Sequence, residues 1–227
     1  MDLDPIFLRD GLLIFFLLAA SVVVHEWGHA IAAHLLGDDT PRMDGRVTLD
    51  PRAHFDLFGT IIVPLINIFI FGGGVLVPFF AWGKPVITNP LNFRNRIRDD
   101  ILVSLAGPAA NLLVAFVAIL VGSFIVPSVP RFGELVKTLL VMNVGLAVFN
   151  LLPVPPLDGG SMLRRLVGIS DEAYLMMSRW SWLVLLVMIR LTFCRDFILR
   201  LVELTCEPYY GLCISISRRA AAIIFST

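Results

Sequence analysis

Charge is what this chain has least of. Asp, Glu, Lys and Arg make up 16% of its 227 residues, against about a quarter in ordinary soluble domains. The 18 basic and 18 acidic residues cancel to a formal net charge of +0. Without a charge run or an imbalance of sign there is no electrostatic footprint for nucleic acid or for a strongly acidic partner, and neither is expected. Cysteine is nearly absent too. Cys194, Cys206 and Cys213 all fall near the C-terminus, lack paired metal-site spacing and cannot all pair within one chain, so they read as packing thiols. No internal repeat or low-complexity linker interrupts the chain. One domain is therefore expected over 1–227, with a core at about 6–163 and C-terminal helices at about 173–215.

What replaces charge is apolar surface. Hydrophobic residues reach 57% and the mean hydropathy is +0.84, beyond the roughly 45 to 50 per cent of soluble domains even with glycine counted. The lipid bilayer is thus the expected surroundings. A first span from about Ile6 to Leu36 is long enough to cross a hydrocarbon core of roughly 30 Å. It is also far longer than a signal-peptide core, so it is expected to be retained. Uncharged or nearly uncharged helices follow from Ile101 to about Val126 and from Glu134 to about Leu152, each ended by prolines. Tyr174 to Phe193 and Asp196 to about Cys213 read as two more, shortened or made partly interfacial by Arg179, Arg190, Arg195 and Arg200.

Between the first two spans lies an ambiguous stretch. Leu57 to Gly83 carries no charge, yet Pro64, Gly72-Gly73-Gly74 and Pro78 interrupt it. Both flanking loops are basic, with Arg42, Arg46 and Arg52 before it and Lys84, Arg94, Arg96 and Arg98 after it. Basic loops stay on the cytoplasmic side, so a re-entrant hairpin fits where a single crossing would not. Short alternation at Arg46, Val47, Thr48 and Leu49 suggests a strand. The expected fold is an all-α polytopic membrane protein with about five transmembrane helices, a re-entrant hairpin and a short membrane-associated β element.

The chemistry is concentrated in the first span. From Gly11 to Gly37 the one formally charged side chain is Glu26, inside His25-Glu26-Trp27-Gly28-His29. On a helix, His25 and His29 lie one turn apart on one face and can both ligate one metal ion, while Glu26 projects beside them toward a metal-bound water. A chance match of two core histidines and a stray glutamate is the bland alternative. An ionisable group at bilayer depth costs several kcal/mol unless paired or functional, which favours one shared purpose for all three. A catalytic zinc site usually has three protein ligands and an open position. From Thr138 to Leu163 the one charged side chain is Asp158, which follows Pro153, Pro155 and Pro156 and precedes Gly159-Gly160. It is either the third ligand, turned inward by a broken helix, or an ordinary turn aspartate. Asn111 and Asn150 carry amides able to bind an exposed backbone, or else simply join helices. His34 is too far around the helix to share the metal, His54 reads as a structural hydrogen-bonding residue, and Gly107-Pro108 as a close helix contact or kink.

Three stretches in order, His25-Glu26-Trp27-Gly28-His29-Ala30, Ala106-Gly107-Pro108-Ala109-Ala110-Asn111, and Asn150 through Asp158-Gly159-Gly160, resemble the motifs of the site-2 protease family of intramembrane zinc metalloproteases. The resemblance runs to about Leu163. His54 to Thr60 and Trp82 to Val86 are similar to compact prokaryotic members, with no room for PDZ or CBS domains. It implies Zn2+ held by His25, His29 and Asp158, Glu26 as general base and acid, and substrate contacts from Asn111 and Asn150. The implied substrate is a transmembrane protein or peptide, cut at a site facing the cytoplasm of a prokaryotic cell. A metal transporter and a proteolytically inactive adaptor are the competing functions.

Overall fold

The structure is a computed structural model and describes residues 4–70 and 81–224. It is an all-α membrane protein. Helix α1 spans Pro5–Leu35, started by Pro5 at its first position and by the Asp4 carboxylate accepting from the Ile6 amide. Two four-residue helices follow, α2 at Thr40–Met43 and α3 at Pro51–His54. A π-helical turn at Leu57–Ile62 leads into α4 at Val63–Phe69. Helix α5 covers Arg96–Ile125, α6 Gly133–Asn150, α7 Asp158–Val167, α8 Asp171–Arg190 and α9 Thr192–Ile224.

Among the described residues three helical segments are long and apolar enough to cross a membrane: Pro5–Leu35, Arg96–Ile125 and Pro130–Asn150. Helices α8 and α9, the other two expected spans, form where the sequence indicates. Helix α5 begins five residues earlier than expected because Asn95 caps it. The Asn95 side chain accepts from the Arg98 amide, and the Asp99 carboxylate accepts from the Asn95 amide at 2.8 Å.

Three apolar clusters assemble the bundle. Leu18 and Val22 of α1 pack on Ile68 of α4 and on Met142 and Leu146 of α6. Ala115 and Ile119 of α5 meet Leu140 and Val144 of α6 and Val202 and Cys206 of α9. Phe149, Leu152 and Ile198 join α6 to α9, with Leu185 and Met188 of α8 alongside. Cys206 thus packs as expected, and all three thiols are free. Helices α1 and α5 approach closely at small residues: a Cβ at Gly28 would lie 2.8 Å from the Ala106 carbonyl oxygen.

The stretch from Leu57 to Gly83 begins and ends in one place. The Trp82 amide donates to the Gly59 carbonyl (3.2 Å), the Thr60 hydroxyl to the Trp82 carbonyl (2.9 Å), and the Lys84 amide to the His54 carbonyl (2.7 Å). The expected turn at Gly72-Gly73-Gly74 lies outside the described residues. No strand forms at Arg46–Leu49, in contrast to expectation. Thr48 bonds locally back to Arg46 (2.9 Å), and the buried Arg46 guanidinium donates to the carbonyls of Ala53, Lys84 and Pro85. A single alternation of side chains therefore ends in a bend rather than a ladder. The residues that the guanidinium meets across the fold belong to the stretch 81–89, which forms neither helix nor strand.

That stretch is also pinned from its far end. The Asp38 carboxylate, just after α1, accepts from the Asn89 amide (2.6 Å), the Asn92 side chain (2.8 Å), the Thr40 hydroxyl (2.6 Å) and the Thr40 amide (3.1 Å). Burial by itself would raise the pKa of Asp38; these donors outweigh it and hold the carboxyl below its ordinary value. A carboxylate with a depressed native pKa adds stability that is present above its unfolded pKa of about 4 and lost as pH falls through the native value. Asp38→Ala is expected to cost about 2 kcal/mol at pH 7, read as a lower Tm in detergent. The difference from wild type should shrink below about pH 4. A wild-type advantage undiminished in acid would contradict the clamp.

Candidate metal centre

His25 and His29 sit on one face of α1, and the prolines after α6 turn the chain so that Asp158 starts α7 at their depth. The two Nε2 atoms are 3.1 Å apart. One carboxylate oxygen of Asp158 lies 3.2 Å from His25 Nε2 and the other 3.3 Å from His29 Nε2. A tetrahedral ion with ligand bonds of 2.0 to 2.1 Å has edges of about 3.3 Å, so these separations outline one face of such a polyhedron.

The protons of the imidazoles are accounted for elsewhere. His25 Nδ1 donates to Asn111 Oδ1 at 2.6 Å, and His29 Nδ1 donates to the Val103 carbonyl at 2.7 Å. With each neutral ring's hydrogen on Nδ1, both Nε2 lone pairs face the carboxylate and one another. Asp158 Oδ2 is buried and receives no hydrogen bond. Three acceptors aimed at one point repel unless a proton or a metal ion sits between them. Two imidazoles and a carboxylate form a donor set suited to Zn2+, and among the described residues they are the one such group of three.

Glu26 lies on the same helix, nine-tenths buried, and lines with both histidines and Asp158 a cavity of about 610 Å³. The stretch 81–89 forms one wall. Gly83 lies so near Glu26 that an added Cβ would be 2.6 Å from Cγ and 3.0 Å from Oε1. Asn150 also faces the cavity, its amide nitrogen donating to the Leu146 carbonyl at 3.0 Å.

Asn111 is placed differently from its expected role. It is fully buried behind His25 and does not line the cavity. Its amide nitrogen donates to the Ser21 carbonyl (3.1 Å) and to Asn143 Oδ1 (3.0 Å) while its oxygen serves His25. Both amide hydrogens and one oxygen lone pair are engaged inside the bundle, so Asn111 takes the helix-joining alternative and also holds the His25 imidazole. Gly107 is also more than a packing residue. A Cβ there would overlap His29 Nε2 and come within 2.8 Å of His25 Cε1. Its lack of a side chain keeps the space between the imidazoles open. Sequence reasoning missed Asn143, the Val103 carbonyl and Gly83. Asn143 carried a detectable signal as a buried-span amide one helical heptad before Asn150, whereas a backbone carbonyl carries none. His54 behaves as expected, bonding the Thr48 carbonyl at 2.7 Å, and His34 pairs with Asp39 away from the centre.

Comparison with known proteins assigns a family. The family model of peptidase family M50 matches residues 13–131 and 127–190. The chain is similar to the candidate zinc metalloprotease YwhC of Bacillus subtilis, with 35% identity covering 66% of this chain and 67% of that protein. It is also similar to the candidate zinc metalloprotease Rip2 of Mycolicibacterium smegmatis, with 30% identity covering 74% of this chain and 63% of the relative. The chain thus spans about two thirds of the length of these relatives. No solved structure matches it.

Gly107→Ala tests the cradle. The added methyl has no room beside His29, so zinc affinity should fall by at least about 10-fold, the scale of a disturbed ligand shell. Competition against a chromogenic chelator measures this. Unchanged affinity would show that the imidazoles need no space at that glycine.

Proposed function

The chain belongs to peptidase family M50, the family of site-2 proteases, and on that basis we propose that it is an intramembrane zinc metalloprotease. Its reaction is hydrolysis of peptide bonds in or near the transmembrane segments of membrane-protein substrates. The convergence of His25, His29 and Asp158 beside Glu26, inside a bundle of apolar spans, is the observation that carries this reading.

His25, His29 and Asp158 would hold the ion. Zinc, when bound, supplies an activated water and a Lewis acid that polarises the scissile carbonyl. Glu26 takes the proton of the attacking water and returns it to the departing amine. Burial of the Glu26 stem and the close backbone of Gly83 keep its carboxyl on the cavity side. A transmembrane helix hides its carbonyls in its own hydrogen bonds, so the substrate must unwind locally before attack. Asn150 and residues of the stretch 81–89 line the space into which that opened strand would fit.

The meeting of Gly59 with Trp82 brings the two basic loops beside one another. Both basic loops then share one face, which the positive-inside rule assigns to the cytoplasm of a prokaryotic cell, and the metal centre opens toward it. Transport would call for a succession of polar ligand groups across the membrane. Among the described residues only one group of three or more metal ligands occurs.

Two substitutions test the proposal against a single-span model substrate. Glu26→Gln is expected to keep zinc at the wild-type stoichiometry and to slow cleavage at least about 100-fold, the contribution of a positioned acid–base group. Asp158→Ala is expected to lose both zinc and cleavage. Turnover by Glu26→Gln close to wild type would reject Glu26 as the proton carrier, and full zinc content in Asp158→Ala would reject the third ligand.

A further inference from the structure

We infer that Asn143 of α6 is a positioning residue for the metal centre, acting on His25 through Asn111. The inference rests on the reading of His25, His29 and Asp158 as a zinc site. All three members of this chain of contacts lie inside the bundle, and Asn111 and Asn143 are both 0% exposed.

The contacts have a direction. Asn143 Nδ2 donates to the Leu139 carbonyl at 2.9 Å, one turn back on its own helix. That leaves Asn143 Oδ1 facing Asn111, where it accepts from Nδ2 at 3.0 Å. The second hydrogen of the same nitrogen goes to the Ser21 carbonyl at 3.1 Å. With Nδ2 engaged by two oxygens, Asn111 cannot flip without setting its own oxygen against both. Its Oδ1 is therefore committed to the hydrogen on His25 Nδ1, at 2.6 Å, and the His25 Nε2 lone pair is committed to the metal side. Each amide orientation is fixed by the one before it, from α6 through α5 to α1.

Simple attachment of helices does not call for this arrangement. The Asn111–Ser21 bond by itself joins α5 to α1, and apolar clusters already join α5 to α6. A second buried amide costs desolvation wherever it sits in an apolar span. What Asn143 adds is the second acceptor that removes the flipped state of Asn111. Partners that orient a ligating histidine are worth about 10- to 100-fold in metal affinity.

A double-mutant cycle on zinc affinity of the detergent-solubilised full chain, measured by chelator competition, tests this. Asn111→Leu is expected to weaken zinc binding by about 10- to 100-fold, and Asn143→Leu by about 10-fold. The double variant should bind no more weakly than Asn111→Leu, because both substitutions break one relay. Asn143→Asp, which when protonated reproduces both bonds, should restore affinity to within about 3-fold of wild type and restore the visible absorption of the cobalt-substituted protein. Should Asn143→Leu fail to fold, Asn143→Ser takes its place in the cycle, since its hydroxyl reaches Leu139 but not Asn111. Affinity of the Asn143 variant within about 2-fold of wild type, or losses that multiply in the double variant, would overturn the inference while leaving the zinc site standing. A wild-type chain without zinc would overturn the metal reading and this inference with it.

Discussion

Three hydrogen-bond acceptors pointing at one another inside a lipid-embedded bundle form the constraint around which this protein is built. His25 Nε2, His29 Nε2 and the Asp158 carboxylate stand 3.1 to 3.3 Å apart, and the hydrogens of both rings are committed to Asn111 and the Val103 carbonyl. A proton or a divalent cation between them relieves the mutual repulsion of those lone pairs, and in surroundings of low dielectric the relief is large. The helices must therefore supply both the ligands and the space, which is why α1 meets α5 at Gly28 and Gly107 rather than at larger residues.

The same constraint explains where the rest of the polar groups go. Around the centre they work in layers: Asn111 and Val103 hold the rings, Asn143 and Ser21 hold Asn111, and Gly83 lies against Glu26. Farther out, the Arg46 guanidinium and the Asp38 carboxylate fix the stretch 81–89 by its backbone. Buried charge is tolerated at Arg46 because its donors meet carbonyls, and at Asp38 because donors converge on the carboxylate. One wall of the cavity is thereby held by two side chains that never touch the metal centre. Glu26 borrows its placement from that wall.

The sequence made the centre legible because ligand chemistry is written in side chains at fixed spacing. His25, Glu26 and His29 declare themselves on one helical face, and Asp158 stands out in an otherwise uncharged stretch after a run of prolines. The three apolar spans are legible for the same kind of reason, since hydropathy is local. The roles of Asn111 and Gly107 were not legible. Which way an amide points, and whether a glycine faces a helix backbone or a pair of imidazoles, depend on where α5 docks on α1. The stretch Arg46–Leu49 misled because alternation signals a strand only when a partner strand is available, and Arg46 turns inward to bond carbonyls instead. The C-terminal helices form where their apolar runs indicated.

X-ray absorption at the zinc edge of the purified wild-type chain tests the central claim most directly, because it reads the ligands rather than their consequences. The account predicts a four-coordinate shell of nitrogen and oxygen at about 2.0 Å, with outer-shell scattering from two imidazoles. A sulfur shell at about 2.3 Å, or scattering from fewer than two imidazoles, would contradict it.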